Sequence, residues 1–301
     1  MSRWRWLGQL ALAGVLAWFV GRALAGQWDA LRQITWEVTI APGWLALSVA
    51  LVLVTFGVQV ESWRTVLTGW GQHLARIDAA RTWFLANLGR YLPGKVWSVA
   101  GMIMLAARQG VATWAATASA VVLQVIGLGA ALALIAATLP VADTGLRIVV
   151  GAAVAAGTVA MMAWPPAIRA LQRLVPKLSE LRPLPPSALL MSSGLSAAGW
   201  VSYGASFWAL SRGLGQPPLL SVWMAIGVFA LAYTVGLLAL FAPGGAVVRE
   251  GVLLALLAPV LGPGAALTLA LASRLLLTVV ELAVAASFFL TQPRSAPGAT
   301  G

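Results

Sequence analysis

The stretch Asn87-Leu88-Gly89-Arg90-Tyr91-Leu92-Pro93-Gly94-Lys95-Val96-Trp97 interrupts an apolar run with a Pro-Gly pair and fixed charges on either side. Proline removes a helical hydrogen bond and glycine lets the backbone turn, so a helix arriving at Pro93-Gly94 ends there. The other half of the chain repeats the arrangement at Phe241-Ala242-Pro243-Gly244-Gly245-Ala246-Val247-Val248-Arg249-Glu250-Gly251. In hydrocarbon, backbone groups freed by such a break are tolerated only around protein-lined or water-filled space. Two breaks in corresponding places of two halves point to a binding site at membrane depth.

Composition supports that setting. Of 301 residues, 60% are hydrophobic and only 9% are charged. Soluble domains carry roughly 25% charged residues, so a water-exposed surface cannot be built from this supply. Trp44–Val60, Val111–Leu139 and Val222–Phe241 each approach or exceed the roughly 20 residues of a helical crossing. The net charge is +11, but the basic residues fall mostly in short loops. The positive-inside rule and anionic lipid explain that, and nucleic acid is not an expected partner. Cysteine is absent and His73 is the single histidine, in a polar loop, so no metal site or cofactor is expected. Arg3 and Arg5, the apolar run from Leu7 and Ala23-Leu24-Ala25 resemble a signal peptide, but the run's length favours an uncleaved first helix.

Apolar runs place spans near Trp6–Leu24, Trp44–Val60, Trp114–Leu139, Leu146–Trp164, Ser187–Leu210, Leu219–Phe241 and Ala265–Leu290. A polar, Trp-bearing segment, Glu61–Arg81, precedes the first broken segment at 82–107; the second occupies 242–264. The expected fold is an all-α polytopic membrane protein of two halves, with roughly seven to eight transmembrane helices plus broken re-entrant segments. The N-terminal half is 1–164 and the C-terminal half 187–290, joined by a Pro/Arg-rich cytoplasmic linker at 165–186, with a disordered tail at 291–301.

Arg3 and Arg5, the Arg64/Arg76/Arg81 segment and the linker all favour the cytoplasm, which puts the N-terminus there. That assignment requires 82–107 to enter and leave on one side, as a hairpin. The second break is open: re-entrant, it leaves the C-terminus outside; spanning, it leaves it inside. Of fifteen tryptophans, Trp4, Trp6, Trp28, Trp36, Trp63, Trp70 and Trp164 lie near span ends, where an interfacial belt is expected. Trp97 stands apart, beside the first break. Gly151, Ala155, Gly204 and Ala205 are expected to let helices approach closely.

Charges at membrane depth are costly and by default functional. Loop arginines aside, they are Arg90, Lys95, Arg249, Glu250, Arg274 and Glu281. Four bases against two acids leave surplus positive charge. Asn87 and Arg90 lie three apart, on one face of a helical arm. Exposed helix ends, free N–H groups and several cations make a site for an anion, phosphate above all. The bland readings are that Arg274 and Glu281 neutralise each other or pair with Arg249-Glu250, and that Arg90 and Lys95 snorkel.

The motif from Asn87 to Trp97, followed by Arg108-Gln109-Gly110-Val111, resembles the first signature of the transmembrane domain of lysylphosphatidylglycerol synthase/flippase proteins. Pro243-Gly244-Gly245 with Arg249-Glu250-Gly251 resembles the second, and Arg274 a downstream arginine. The resemblance implies a stand-alone membrane domain in a bacterial-type cytoplasmic (inner) membrane, moving phospholipid or lipid-linked headgroups between leaflets. It implies no aminoacyl-transferase activity. Val247 stands where members often carry a further glycine, and Gln124 where many carry an intramembrane glutamate.

The leading expectation is therefore a lipid translocase, not an enzyme. Asn87, Arg90, Lys95, Arg249, Glu250 and Arg274 would hold an anionic or zwitterionic phospholipid or a polyprenyl-phosphate-linked lipid. Pro93, Gly94, Pro243, Gly244, Gly245 and Gly251 would form the bends, with Trp97, Gln124 and Glu281 as secondary candidates. No Walker loop is present, so a gradient, Glu250 protonation or lipid concentration would drive the motion. An intramembrane transferase on lipid-linked substrates is the alternative, although no paired metal-binding acids accompany Glu250. A scaffold for lipid or glycolipid biosynthesis is a third reading, and homo-oligomerisation stays open.

Overall fold

The computed structural model describes residues 40–91, 96–139, 143–174, 181–239 and 247–290. The expected first span, the tail, and Pro93, Gly94, Lys95, Pro243, Gly244 and Gly245 lie outside the described residues. Among those described there are ten α-helices and no strand: α1 (Pro42–Gly69), α2 (Arg76–Asn87), α3 (Val96–Ala107), α4 (Thr113–Thr138), α5 (Thr144–Ala163), α6 (Pro165–Leu174), α7 (Pro186–Gly213), α8 (Val222–Leu238), α9 (Val248–Leu261) and α10 (Pro263–Leu290). Four of them, α1, α4, α5 and α10, are long and apolar enough to cross a membrane. The molecule is an all-α polytopic membrane protein.

The helix ends follow local chemistry. Pro42 and Pro186 open α1 and α7, where a missing N–H costs nothing. Asp143 caps α5 by accepting from Leu146 N at 3.0 Å, and Ser221 caps α8 by accepting from Met224 N at 3.2 Å. Gly262, at φ 85°, separates α9 from α10, which starts on Pro263.

One boundary differs from expectation. The polar segment that opens at Glu61 is still helical, because α1 continues to Gly69. Arg64 Nη1 donates to both Glu61 carboxylate oxygens at 2.7 Å, and Arg76 Nε reaches Glu61 at 3.4 Å. Paired in this way, the charges no longer oppose the helix. Trp63, expected in the interfacial belt, is fully buried and donates from Nε1 to Ser119 Oγ at 2.9 Å. Trp164, which is 59% exposed, fits the belt.

Two full-length helices form the axis of the molecule. α1 and α7 are each 28 residues long and run antiparallel. Ala41 N donates to Gly213 O at 2.9 Å, Ser48 Oγ meets Ser206 Oγ at 3.0 Å, and Ser62 Oγ meets Ser192 Oγ at 2.8 Å. These pairs keep one register in steps of seven and fourteen residues, the spacing of a coiled-coil seam. Small hydroxyl residues suit such a seam in hydrocarbon, since they admit close backbones and hydrogen-bond across.

Each axial helix is followed by a broken pair and then a long helix. After α1 come α2 and α3, then α4; after α7 come α8 and α9, then α10. α2 packs on α10 of the other half, and α8 packs on α4. With α1 antiparallel to α7, this is the pattern of an inverted repeat. α2 and α3 have 12 residues each, about 18 Å at 1.5 Å per residue, too short to cross alone. They lie against each other as a hairpin. Gln109 Nε2 donates to Thr82 Oγ1 at 2.8 Å across its open end. Nearer the tip, a β-carbon on Gly89 would stand 2.6 Å from Ser98 N, so only glycine permits this approach.

Of the small residues expected at close contacts, Gly204 abuts Ile226 of α8, and Gly151 lies against Ala133 O of α4. Ala155 instead faces outward, because α5 is peripheral and buries only one side.

Candidate functional site

The second break ends at Val247, whose φ of 73° and ψ of −45° are rare for any residue with a side chain. The turn aims Val247 N–H at Glu250 Oε2, 2.7 Å away, so Glu250 caps the first turn of α9 with its own carboxylate. The helix N-terminus favours that negative charge. Val247 has no polar side chain to complete the reciprocal half of a capping box.

Glu250 then collects two arginines on its other oxygen. Arg274 Nη1, from α10, donates to Oε1 at 3.1 Å, and Arg249 Nε lies 3.5 Å from the same atom. The latter is charge contact without hydrogen-bond alignment, for Arg249 Nε is buried and has no hydrogen-bond partner among the described residues. Arg249 Nη2 donates to Ser273 Oγ at 3.1 Å, and its guanidinium carbon stands 5.6 Å from the centre of the Phe229 ring. Arg249 and Glu250 are 6% and 9% exposed, whereas the Arg274 side chain keeps 32% of its surface. Two cations thus share one carboxylate whose oxygens are both engaged. Beneath them a small cavity is lined by Tyr203, Ser206, Phe207, Phe229 and Ser273.

The family model described as the lysylphosphatidylglycerol synthase TM region matches residues 6–285. The chain belongs to that family. Among curated proteins the comparison finds no match. Membership ties the molecule to a membrane-lipid-related function and, with its apolar helices, makes it an integral membrane protein.

In this member of the lysylphosphatidylglycerol synthase TM family, Arg249, Glu250 and Arg274 meet in one cluster. Gly251 follows in the first turn of α9, is exposed, and has space around its α-carbon. Asn87 ends α2, and its Nδ2 is buried without a hydrogen-bond partner among the described residues. Arg90 lies in a single 3-10 turn, Leu88–Tyr91, but its side chain is outside the described residues, as are Pro93, Gly94 and Lys95 entirely. Trp97 sits in the first turn of α3, 46% exposed. Glu281 is buried two turns beyond Arg274 on α10. Gln124 is exposed on α4, a helix that contributes nothing to the charged cluster.

Ser273, Phe229 and Tyr203 were not legible as site residues. Their signal is faint: a serine beside Arg274, and tyrosines in a chain that has only three. The rings form a series of contacts. Phe84 of α2 meets Phe288 at 5.7 Å and Phe56 at 5.3 Å; Phe56 meets Tyr203 at 6.3 Å; Tyr203 meets Phe229 at 5.6 Å. Arg249 rests on the last ring. The first hairpin and the charged cluster of the second break are therefore joined by packed aromatic side chains.

Proposed function

We propose that the chain is a lipid translocase that moves a phosphate-bearing headgroup of a phospholipid or lipid-linked molecule between leaflets. The observation that carries this reading is the pair Arg249 and Arg274 on a single buried Glu250, with one guanidinium donor of Arg249 left without a hydrogen bond among the described residues. A buried donor without a partner calls for an explanation, and a transient ligand supplies one. Guanidinium groups present donors in the planar fork that matches phosphate oxygens. At membrane depth such an array is expensive unless it works.

The movement follows from competition. The partly exposed Arg274 meets the phosphate first, and the phosphate displaces Glu250 Oε1 from it. Glu250, still held by Val247 N–H, then repels the anion, which weakens the complex and releases the headgroup. The acyl chains stay in lipid throughout. Asn87, Arg90 and Lys95 of the first break complete the headgroup site, and Glu281 is its second acid. The membrane in this reading is a bacterial-type cytoplasmic membrane, with the N-terminus cytoplasmic.

Proteoliposomes loaded with a fluorescent phospholipid in both leaflets test the reading through the rate at which dithionite quenches the inner pool. Arg249→Gln and Arg274→Gln are expected to slow transfer by at least about tenfold, the loss of one charge-assisted hydrogen bond. Arg108→Gln, at an exposed turn, serves as the control. Native rates in both site variants would end the proposal.

A further inference from the structure

Where α1 ends, a small, shallow crevice opens between α1, α4, α5, α6 and the extended segment 181–185. Its apolar wall is made by Trp70, Val122, Met162, Ile168 and Leu184, and Arg182 stands at its rim. Two side chains fix that rim in place. Trp70 Nε1 donates to Arg182 O at 2.9 Å, and Gln172 Nε2 donates to Leu181 O at 3.0 Å. Trp70 is backed in turn by Trp114, with ring centres 5.6 Å apart.

α6 explains the charge around the crevice. Ile168 and Gln172, four residues apart, face the bundle, while Arg169 and Arg173, each about 100° further round α6, lie exposed. Arg182 is exposed as well. Among the described residues none of these three arginines has a carboxylate partner. Exposed Trp164, at the junction of α5 and α6, marks the depth at which headgroups lie.

We propose that this crevice is a resident site for an anionic phospholipid, with an acyl chain against the Trp70–Met162 wall and the phosphate among Arg169, Arg173 and Arg182. Three cations with no carboxylate partner among the described residues, beside an apolar slot at headgroup depth, fit a ligand that joins one negative charge to a hydrocarbon chain. The site shares no residue with the Arg249 cluster, so the lipid held there is separate from the one translocated. It fastens α6 to the membrane surface and fixes the joint between the two halves.

The test uses the full chain in phosphatidylcholine nanodiscs with a trace of photoreactive phosphatidylglycerol, its diazirine on the acyl chain. Labelled peptides are mapped by mass spectrometry. Label is expected between Met162 and Leu184. It should fall by at least about tenfold in the triple variant Arg169→Gln/Arg173→Gln/Arg182→Gln. A phosphatidylcholine probe should label no more than that residue of signal. Arg249→Gln should leave the label unchanged whatever it does to transfer, which separates this proposal from the translocase reading. Thermal unfolding of the triple variant confirms its folding, since all three side chains are exposed. Equal labelling by both probes, or undiminished label in the folded triple variant, would overturn the proposal.

Discussion

Val247 shows how much a single residue holds at this site. Its backbone occupies a region that glycine enters freely and a β-branched residue enters at a cost of about 1–3 kcal/mol. The turn is retained because it delivers the Val247 N–H to Glu250. Val247→Gly is expected to relieve the strain, less roughly 0.5–1 kcal/mol of added unfolded-state entropy, for a small net gain in chemical-denaturation stability. It should also loosen the break and raise the transfer rate. Glu250→Gln should have the opposite character. It strips the buried Arg249 of its counter-charge, an expected cost of about 3 kcal/mol. Adding Arg249→Met to Glu250→Gln should recover at least about 1 kcal/mol, and a double-mutant cycle in detergent reads that coupling. The resemblance marked position 247 as unusual from its residue type alone. That its φ is positive, and that it points an N–H at Glu250, depends on how α9 begins, which no residue spacing reveals.

At the scale of elements, the α1–α7 seam and the α7–α8 contact are set by small side chains. Gly204 and Gly194 lie on the same helix but in different surroundings. A β-carbon on Gly204 would collide with Ile226 of α8, whereas one on Gly194 would meet nothing within 4 Å. Gly204→Ala is therefore expected to destabilise by about 1–3 kcal/mol through overpacking, and Gly194→Ala to be neutral or slightly stabilising. Thermal unfolding of the two variants side by side checks the contrast. Most helices were legible because roughly 20-residue apolar runs are unambiguous in this composition. The end of α1 was not. Glu61, Arg64 and Arg76 read as part of a polar segment after the span until their mutual pairing is seen. Trp63 likewise resembled a belt residue, because proximity to a span end does not reveal that Ser119 of another helix receives its N–H.

Across the whole molecule, the aromatic series from Phe288 through Phe84, Phe56, Tyr203 and Phe229 to Arg249 joins the hairpin of one half to the charged cluster of the other. Packed rings transmit displacement because dense interiors yield little. A hairpin that shifts on α10 would thus disturb the seat of Arg249. The chain contains no cysteine, so paired thiols can be introduced cleanly. Phe84→Cys/Phe288→Cys, bridged by a short reversible cross-linker, is expected to stop lipid transfer and to regain it on reduction. Transfer that continues under full cross-linking would show that this contact stays fixed during the cycle.

The amino-acid sequence by itself determined that the chain lives in a membrane, since too few charges exist to coat a water-exposed surface. It also marked the interruptions between α2 and α3 and between α8 and α9, because a proline inside an apolar run removes a helical hydrogen bond. Which charges meet was decided only by the tertiary structure. Arg249 and Glu250 stand 24 residues from their partners Ser273 and Arg274. Their pairing depends on how α9 folds back along α10, and side-chain direction at such a return is set by packing rather than by distance along the chain.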